Sequence, residues 1–217
     1  MTINLQPGFF SLVFFIIEFS LLLIALIKNR DHPYANTIYS LMTLLQIYQL
    51  TEFLLCIGID ENIVGRIAIT SITLLPPIGY YLSAKLSNWK IKDYWIWLSI
   101  GFAISLYYIF APISMTLNSC NPFYAIYNIP FGLHYGIYYF GIILLAILLV
   151  VIQIFRKKIQ YGNKGGIGLL IGFLSFLIPM ALTVLIEENA LFAIPSIMCK
   201  YAILLAITLF WFSFKKE

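Results

Sequence analysis

The chain has 217 residues, of which 62% are apolar and only 10% are charged, with a formal net charge of +4. Soluble domains carry roughly a quarter charged residues, so this composition excludes an ordinary soluble domain and predicts a protein of the lipid bilayer. Once the basic residues that flank the apolar segments are set aside, no basic stripe remains. Nucleic acid is therefore not an expected partner.

Seven apolar segments follow one another along the chain. A hydrocarbon core of about 30 Å needs about 20 helical residues, and segments 9-27, 35-57, 63-86, 94-113, 131-155, 166-187 and 190-214 approach or exceed that length. The longest connection, about 114-130, is too short to have a core of its own. The first segment lacks a basic leader and a cleavage site, so we expect it to be retained as a span. The sequence predicts an all-α, polytopic seven-transmembrane-helix bundle that forms a single domain.

The basic residues predict how the bundle is oriented. Eleven of the thirteen Lys and Arg follow spans one, three, five and seven: Lys28, Arg30, Lys85, Lys90, Lys92, Arg156, Lys157, Lys158, Lys164, Lys215 and Lys216. The opposite connections carry Asp60-Glu61 and Glu187-Glu188. Cytoplasmic loops are enriched in Lys and Arg, so we expect the N-terminus outside and the C-terminus in the cytoplasm of a multi-pass cell-membrane protein.

Polar residues interrupt the first two spans. Span one contains Glu18, and span two contains Gln46, Gln49 and Glu52 in the stretch "QIYQLTEFLLC". Helical spacing places Gln49, Glu52 and Cys56 on one stripe, with Gln46 one turn below. Counting along the predicted spans places Glu52 in the outer half and Gln46 and Glu18 near the midplane. Charged groups inside spans usually face the bundle interior and mark function.

Spans three and five add candidates close to the outer boundary. Span three opens "RIAITSITLLPP", with Arg66 near the outside and Pro76-Pro77 inside the span. The two prolines free backbone carbonyls, which makes them either a structural kink or a hinge. His134, within about a turn of the outer end of span five, either joins a site or extends its ring to the surface.

Span seven has a lysine inside its apolar run "SIMCKYAILLA". Ser196 faces both Cys199 and Lys200, which lie in the outer half of the bundle. A buried ammonium needs a carboxylate, and the candidates are Glu18 and Glu52. The sequence therefore predicts a polar site in the outer half, either a working ligand site or an ion-pair network that only orients helices.

The cysteines and histidines indicate no metal chemistry. Cys56 and Cys120 are both expected outside and could form a disulfide in an oxidising compartment. Cys199 is expected to be a small packing residue. His32 and His134 are expected at opposite membrane boundaries, so they cannot share an ion, and we expect no metal site.

Two resemblances arise from these residues. Seven spans, an outside N-terminus and the lone Lys200 of the last helix resemble a microbial rhodopsin, which implies retinal bound to Lys200 as a Schiff base. The stretch "RIAITSITLLPP" also resembles that family's third helix. The positions where the family implies counterions, near Ile69 or Thr70 and at Ser196, are not acidic here, so Glu52 would have to serve. Apart from this alternative we expect no cofactor.

The second resemblance is to an uncharacterised family of small prokaryotic seven-helix membrane proteins. "LLQIYQLTEFLLC" is similar to its Gln-x-x-Glu element in helix two, and "IPSIMCKYAILLA" to its Ser-x-x-Cys element in the last helix. The resemblance implies that Gln49, Glu52, Ser196 and Cys199 form one unit, and it implies no known activity. Lys200 departs from the family, which has an apolar residue there.

Three classes of function follow from the sequence. The first is a transporter or receptor that binds a small polar or amphipathic ligand in the outer half of the bundle. The second is a membrane-embedded enzyme with Glu52 or His134 as base. The third is a retinal-binding photoreceptor or pump. We expect the first, because charged residues without recognisable catalytic spacing suit binding better than chemistry. Neither the ligand nor the oligomeric state has a signal in the sequence.

Overall fold

The computed structural model describes residues 6–28, 33–86, 94–110, 116–129, 132–156, 166–175, 177–178 and 194–213. Within them the chain is mostly helical, with helices α1 Phe9–Lys28, α2 Ala35–Cys56, α3 Glu61–Leu86, α4 Tyr94–Phe110, α5 Gly132–Phe155, α6 Gly166–Ser175 and α7 Ile194–Ser213. Much of predicted span six lies outside the described residues. His32 and many of the charged residues on which the predicted orientation rests also lie outside the described residues: Arg30, Lys90, Lys92, Lys157, Lys158, Lys164, Glu187, Glu188, Lys215 and Lys216.

Among the described residues, three helices are long and apolar enough to cross a membrane, judged by length and composition. They are α1, α3 and the segment His134–Phe155 of α5. Helices α4 and α6 and the segment Ser196–Trp211 of α7 are shorter apolar helices. Large exposed apolar side chains also cover the outer faces of α1, α4 and α5. Soluble monomeric proteins rarely expose such extensive apolar surface. These features are compatible with a membrane protein.

The helices form two neighbouring packed groups. Helix α3 contacts α2, α4 and α5, while α1, α2 and α7 contact one another in pairs. Helix α6 lies against α7, where a Cβ added at Gly172 would come within 2.7 Å of the Leu205 side chain, so glycine permits this close approach. The buried apolar core runs through both groups and ends, in α1, α2 and α7, against a layer of buried polar residues.

A short antiparallel hairpin lies in the connection between α4 and α5. Strand β1, Thr116–Cys120, pairs with β2, Ala125–Asn128, and the turn is closed by a hydrogen bond from the Asn121 N–H to the Tyr124 carbonyl at 2.9 Å. The sequence analysis predicted no strand here, and the described residues are mostly helical, as predicted, with this hairpin in addition. An isolated two-stranded hairpin is marginal in water, so its contacts with the helices must hold it.

The first of those contacts is with the start of α1. The backbone N–H groups of Gly8 and Phe10 donate to the turn carbonyls of Asn121 and Pro122, each at 3.2 Å. The first N–H groups of a helix have no acceptor within the helix, and here the turn supplies two. The hairpin therefore caps the N-terminal end of α1.

Two further contacts join the hairpin to α2 and α7. Cys120 in β1 forms a disulfide with Cys56 at the C-terminal end of α2, with the Cα atoms 5.6 Å apart. The backbone N–H of Ala125 donates to the Ser196 hydroxyl of α7 at 2.9 Å. The hairpin is thus fastened to one end of α1, α2 and α7 together, which we call the hairpin end of the bundle.

Helix α3 continues through Pro76 and Pro77. Proline has no N–H, so Pro77 cannot donate to the carbonyl of Thr73 one turn earlier. The Tyr138 hydroxyl of α5 donates to that carbonyl instead, at 2.9 Å. A neighbouring helix thereby satisfies the group that the proline frees, which allows a Pro-Pro pair inside an apolar helix.

We expect Tyr138→Phe to lower the free energy of unfolding by about 1–2 kcal/mol, because it leaves a buried carbonyl without a donor. In a Pro77→Ala background the loss should be smaller, since residue 77 then supplies its own N–H to the Thr73 carbonyl. Unfolding of the four proteins in detergent measures the difference. Equal losses in both backgrounds would show that the Tyr138 hydroxyl does not compensate for the proline.

Candidate functional site

A buried ion pair joins α2 to α7. The Lys200 ammonium contacts Oε1 of Glu52, and both side chains are only 1% exposed. Helical spacing explains their position, because Glu52 lies one turn from Gln49 on the inner face of α2, and Lys200 lies one turn from Ser196 on the inner face of α7. The sequence predicted either Glu18 or Glu52 as the partner of Lys200, and Lys200 contacts Glu52.

Two more acceptors complete the surroundings of the ammonium. Lys200 Nζ donates to the Ser11 hydroxyl of α1 at 2.7 Å and to Oε1 of Gln49 at 3.0 Å. Ser11 in turn donates to Oε1 of Glu52 at 2.7 Å. A lysine ammonium has three N–H groups, and here each has an acceptor. This arrangement connects α1, α2 and α7 at one level.

Two glutamines of α2 connect the same helices through backbone carbonyls. Nε2 of Gln49 donates to the Cys199 carbonyl of α7 at 2.6 Å. Nε2 of Gln46 donates to the Glu18 carbonyl of α1 at 2.9 Å. Both glutamines are buried, so these bonds satisfy amide groups that would otherwise be costly in an apolar interior.

Unused polar groups surround the ion pair. Oε2 of Glu52 and the hydroxyls of Tyr48 and Tyr127 are buried and have no hydrogen-bond partner of normal geometry among the described residues. The Tyr48 and Tyr127 hydroxyls interact with each other, and those of Tyr127 and Ser196 interact with the Glu52 carboxylate, but these contacts fall short of normal hydrogen-bond geometry. Buried polar atoms usually have a partner, so this cluster has unused hydrogen-bonding capacity next to a charge pair.

Tyr127 belongs to the hairpin and lies over the site. Burial, and then the negative charge of Glu52, raise the pKa of Tyr127 well above its usual value of 10.0. The phenol is therefore neutral at physiological pH, and its O–H remains available as a donor. The hairpin supplies a polar group to the site as well as covering it.

Glu18 lies deeper along α1 than the ion pair. It follows Ser11 by seven residues, two helical turns or about 10 Å along the same face. Its side chain is 0% exposed, and neither carboxyl oxygen has a hydrogen-bond partner among the described residues. The charge of Lys200 nevertheless acts on it. Glu18 is a second buried carboxyl group associated with the same lysine.

Two predicted site residues lie elsewhere. Arg66 donates to the Asn62 side chain at 2.8 Å and to the carbonyls of Tyr108 and Ile109 in the last turn of α4. Carbonyls in the last turn of a helix lack intrahelical donors, so Arg66 caps α4. His134 is exposed in the first turn of α5. The polar layer is therefore built from α1, α2, α7 and the hairpin, with Arg66 joining α3 to α4.

The predicted hinge also lies apart from the ion pair. Pro76 lines a narrow apolar pocket between α2, α3, α5, α6 and α7, together with Leu75, Phe173 and Leu205. The pocket offers almost no polar group, so it does not extend the polar site. Pro77 is buried nearby in α3.

Sequence reasoning missed Ser11, Tyr48 and Tyr127. A single Ser in an apolar span most often bonds its own backbone, and a Tyr beside a glutamine has no distinctive spacing. Tyr127 lies in a connection that was predicted only to be too short for a core of its own. The one available signal was the pair of outer cysteines, because the Cys56–Cys120 disulfide brings that connection to α2.

Comparison of the chain with protein-family models, curated proteins and solved structures gives no match. The two resemblances therefore stay predictions, and the function is argued from the site.

Proposed function

We propose that this chain is a multi-pass cell-membrane protein that binds a small polar or amphipathic ligand in the outer half of a seven-span bundle, for sensing or transport. The observation that carries the proposal is the unused hydrogen-bonding capacity of Glu52, Tyr48 and Tyr127 around a buried ion pair. A purely structural pair gains nothing from unsatisfied polar neighbours, whereas a binding site needs groups that a ligand can engage.

Several features support placing the hairpin end outside the cell. The Cys56–Cys120 disulfide lies there, and disulfides persist in oxidising compartments. Asp60 lies at the same end, between α2 and α3, whereas Lys28 and Lys85 lie in the last turns of α1 and α3 at the opposite end. This distribution agrees with an outside N-terminus and a cytoplasmic C-terminus.

The chemistry of the site indicates which ligands would fit. A ligand cation would bind the Glu52 carboxylate, and a ligand anion or carbonyl would bind the Lys200 ammonium. The hydroxyls of Tyr48 and Tyr127 would donate to further polar atoms. Separating the internal ion pair costs free energy, which binding offsets only if both separated charges find new partners. A small zwitterion meets this requirement.

The geometry favours the other two functions less. An enzyme base needs a reactive partner, but Oε1 of Glu52 is occupied by Lys200 and Ser11, and His134 is exposed at the end of α5. A retinal Schiff base on Lys200 would keep at most one N–H, so it would give up at least two of the three bonds that the ammonium makes. Binding therefore has the stronger support.

The native thiol of Cys199 tests whether the site opens to the outside. The chain has three cysteines, two of them in the disulfide, so Cys199 is the single free thiol, and it is buried beside the ion pair. We expect a membrane-impermeant thiol reagent to label Cys199 slowly from the hairpin side in sealed vesicles. Zwitterionic compounds that occupy the site should slow the labelling.

Two controls define the result. Cys199→Ala should give no labelling, and unfolded protein should give complete labelling. If Cys199 in the folded protein reacts no faster than the protein unfolds, the layer is a closed structural core and the proposed function fails. Labelling from the opposite side alone would overturn the proposed orientation.

A further inference from the structure

The polar layer contains more carboxyl groups than ammonium groups. Helices α2 and α7 pack against α1, and the hairpin caps it. Around the inner face of α1 they place these titratable groups: Tyr39, Tyr48, Glu52, Tyr127, Cys199 and Lys200. Together with Glu18, the described residues there comprise two carboxyl groups and one ammonium. One lysine cannot neutralise two ionised carboxylates, so the layer needs one more positive charge.

The surroundings of Glu18 indicate that this charge is a proton. The Gln46 amide of α2 donates to the backbone carbonyl of Glu18, and neither carboxyl oxygen of Glu18 has a hydrogen-bond partner among the described residues. An ionised carboxylate without a partner costs several kcal/mol in an apolar interior, whereas the protonated form is neutral. Hard cations need several oxygen ligands, and no group of three His, Cys, Asp or Glu side chains in the described part of the chain could hold a metal ion.

Lys200 connects this proton to the ion pair. Its charge acts on both carboxyl groups, but its hydrogen bonds go to Glu52, Ser11 and Gln49. Its four-carbon stem is flexible, and Ser11 and Glu18 lie on one face of α1. If a cation replaces Lys200 at Glu52, the ammonium becomes free to turn toward Glu18.

We propose that Glu18 is a proton-exchange site that competes with Glu52 for Lys200. While Glu52 holds Lys200, Glu18 keeps a proton; when Lys200 leaves Glu52, the O–H bond of Glu18 breaks, the electron pair stays on the carboxylate, and the proton passes to water. This role of Glu18 rests on the proposed function, for a ligand that carries a cationic group and no anion to hold Lys200: its binding at Glu52 would release one proton. A ligand with one positive charge and a proton would then exchange without a change in net charge.

Infrared spectroscopy of the reconstituted full chain tests this directly, because a protonated carboxylic acid has a C=O band separate from the carboxylate bands. At neutral pH we expect one such band in the unaltered protein, shifted in D2O, and absent from Glu18→Gln. In Glu52→Gln we expect the band to be lost, because Lys200 then pairs with Glu18. In Lys200→Met it should roughly double, because both carboxyl groups take up protons.

Each contrary result overturns the proposal. A band that persists in Glu52→Gln would show that Glu18 does not compete for Lys200. A band that is absent from the unaltered protein would show that Glu18 is ionised, and one that ignores D2O would show that its proton does not exchange. Loss of the band when sodium replaces choline would identify a metal-cation site instead. If Lys200→Met does not fold, Glu18→Gln still identifies the protonated group and Glu52→Gln still tests the competition for Lys200.

The infrared result and the Cys199 labelling are independent. If the infrared band behaves as expected but Cys199 never reacts, the proton site at Glu18 is supported and the ligand site is rejected. Slow labelling from outside together with an ionised Glu18 would do the reverse.

Discussion

Replacing Lys200 with methionine should lower the free energy of unfolding by about 3–5 kcal/mol, the usual loss when one member of a buried ion pair is removed. Methionine preserves much of the apolar stem but removes the countercharge of Glu52, which must then take up a proton, and it leaves Ser11 and Gln49 without their shared donor. The double variant Lys200→Met with Glu52→Gln should recover a substantial part of this loss, because glutamine at position 52 is neutral without taking up a proton.

The comparison needs four proteins and one control. Unfolding in detergent of the unaltered protein, both single variants and the double variant gives the coupling free energy between Lys200 and Glu52. Lys85→Met is the matched control, because Lys85 lies in the last turn of α3 with its ammonium 4.6 Å from the Tyr81 ring centre. We expect it to change stability by only about 0.5–1 kcal/mol. Losses that simply add would mean that the two charges do not stabilise each other.

Helical periodicity identified most of the polar layer from the sequence. Gln49 and Glu52 share one face of α2, and Ser196, Cys199 and Lys200 share one face of α7, because charged and amide groups in an apolar helix must turn inward. The choice between Glu18 and Glu52 as partner of Lys200 remained open. It depends on how far α1 and α2 are shifted along each other and on the direction of the lysine stem, and spacing within one helix specifies neither.

The hairpin shows why other features were missed. Its first strand, "TLNSC", has no alternation of apolar and polar residues, so local pattern does not predict it. What holds it is tertiary: the disulfide to α2, two bonds from the start of α1, and the bond from Ala125 to Ser196. Arg66 was misplaced for a related reason. Its depth suggested the polar site, but its direction from α3 leads to the end of α4.

Removing the disulfide should have the second large effect. We expect Cys56→Ser with Cys120→Ser to lower the free energy of unfolding by about 2–4 kcal/mol, because the bond closes a loop between residues 64 positions apart. The hairpin would then be held by three main hydrogen bonds, each contributing about 1 kcal/mol. If the hairpin gates the site, Cys199 should react with the outside reagent at least about tenfold faster, which corresponds to about 1.4 kcal/mol easier opening.

Ser196→Ala provides the comparison for this result, because it removes one hydrogen bond to the same hairpin and leaves the disulfide intact. In this variant the labelling rate of Cys199 should rise by a smaller factor, because one hydrogen bond stabilises the hairpin less than the disulfide does. If the double serine variant loses stability but Cys199 reacts at the original rate, the hairpin is a structural brace only. A route to Glu52 and Lys200 would then have to pass between the helices themselves, and any ligand that the site binds would have to enter from the bilayer.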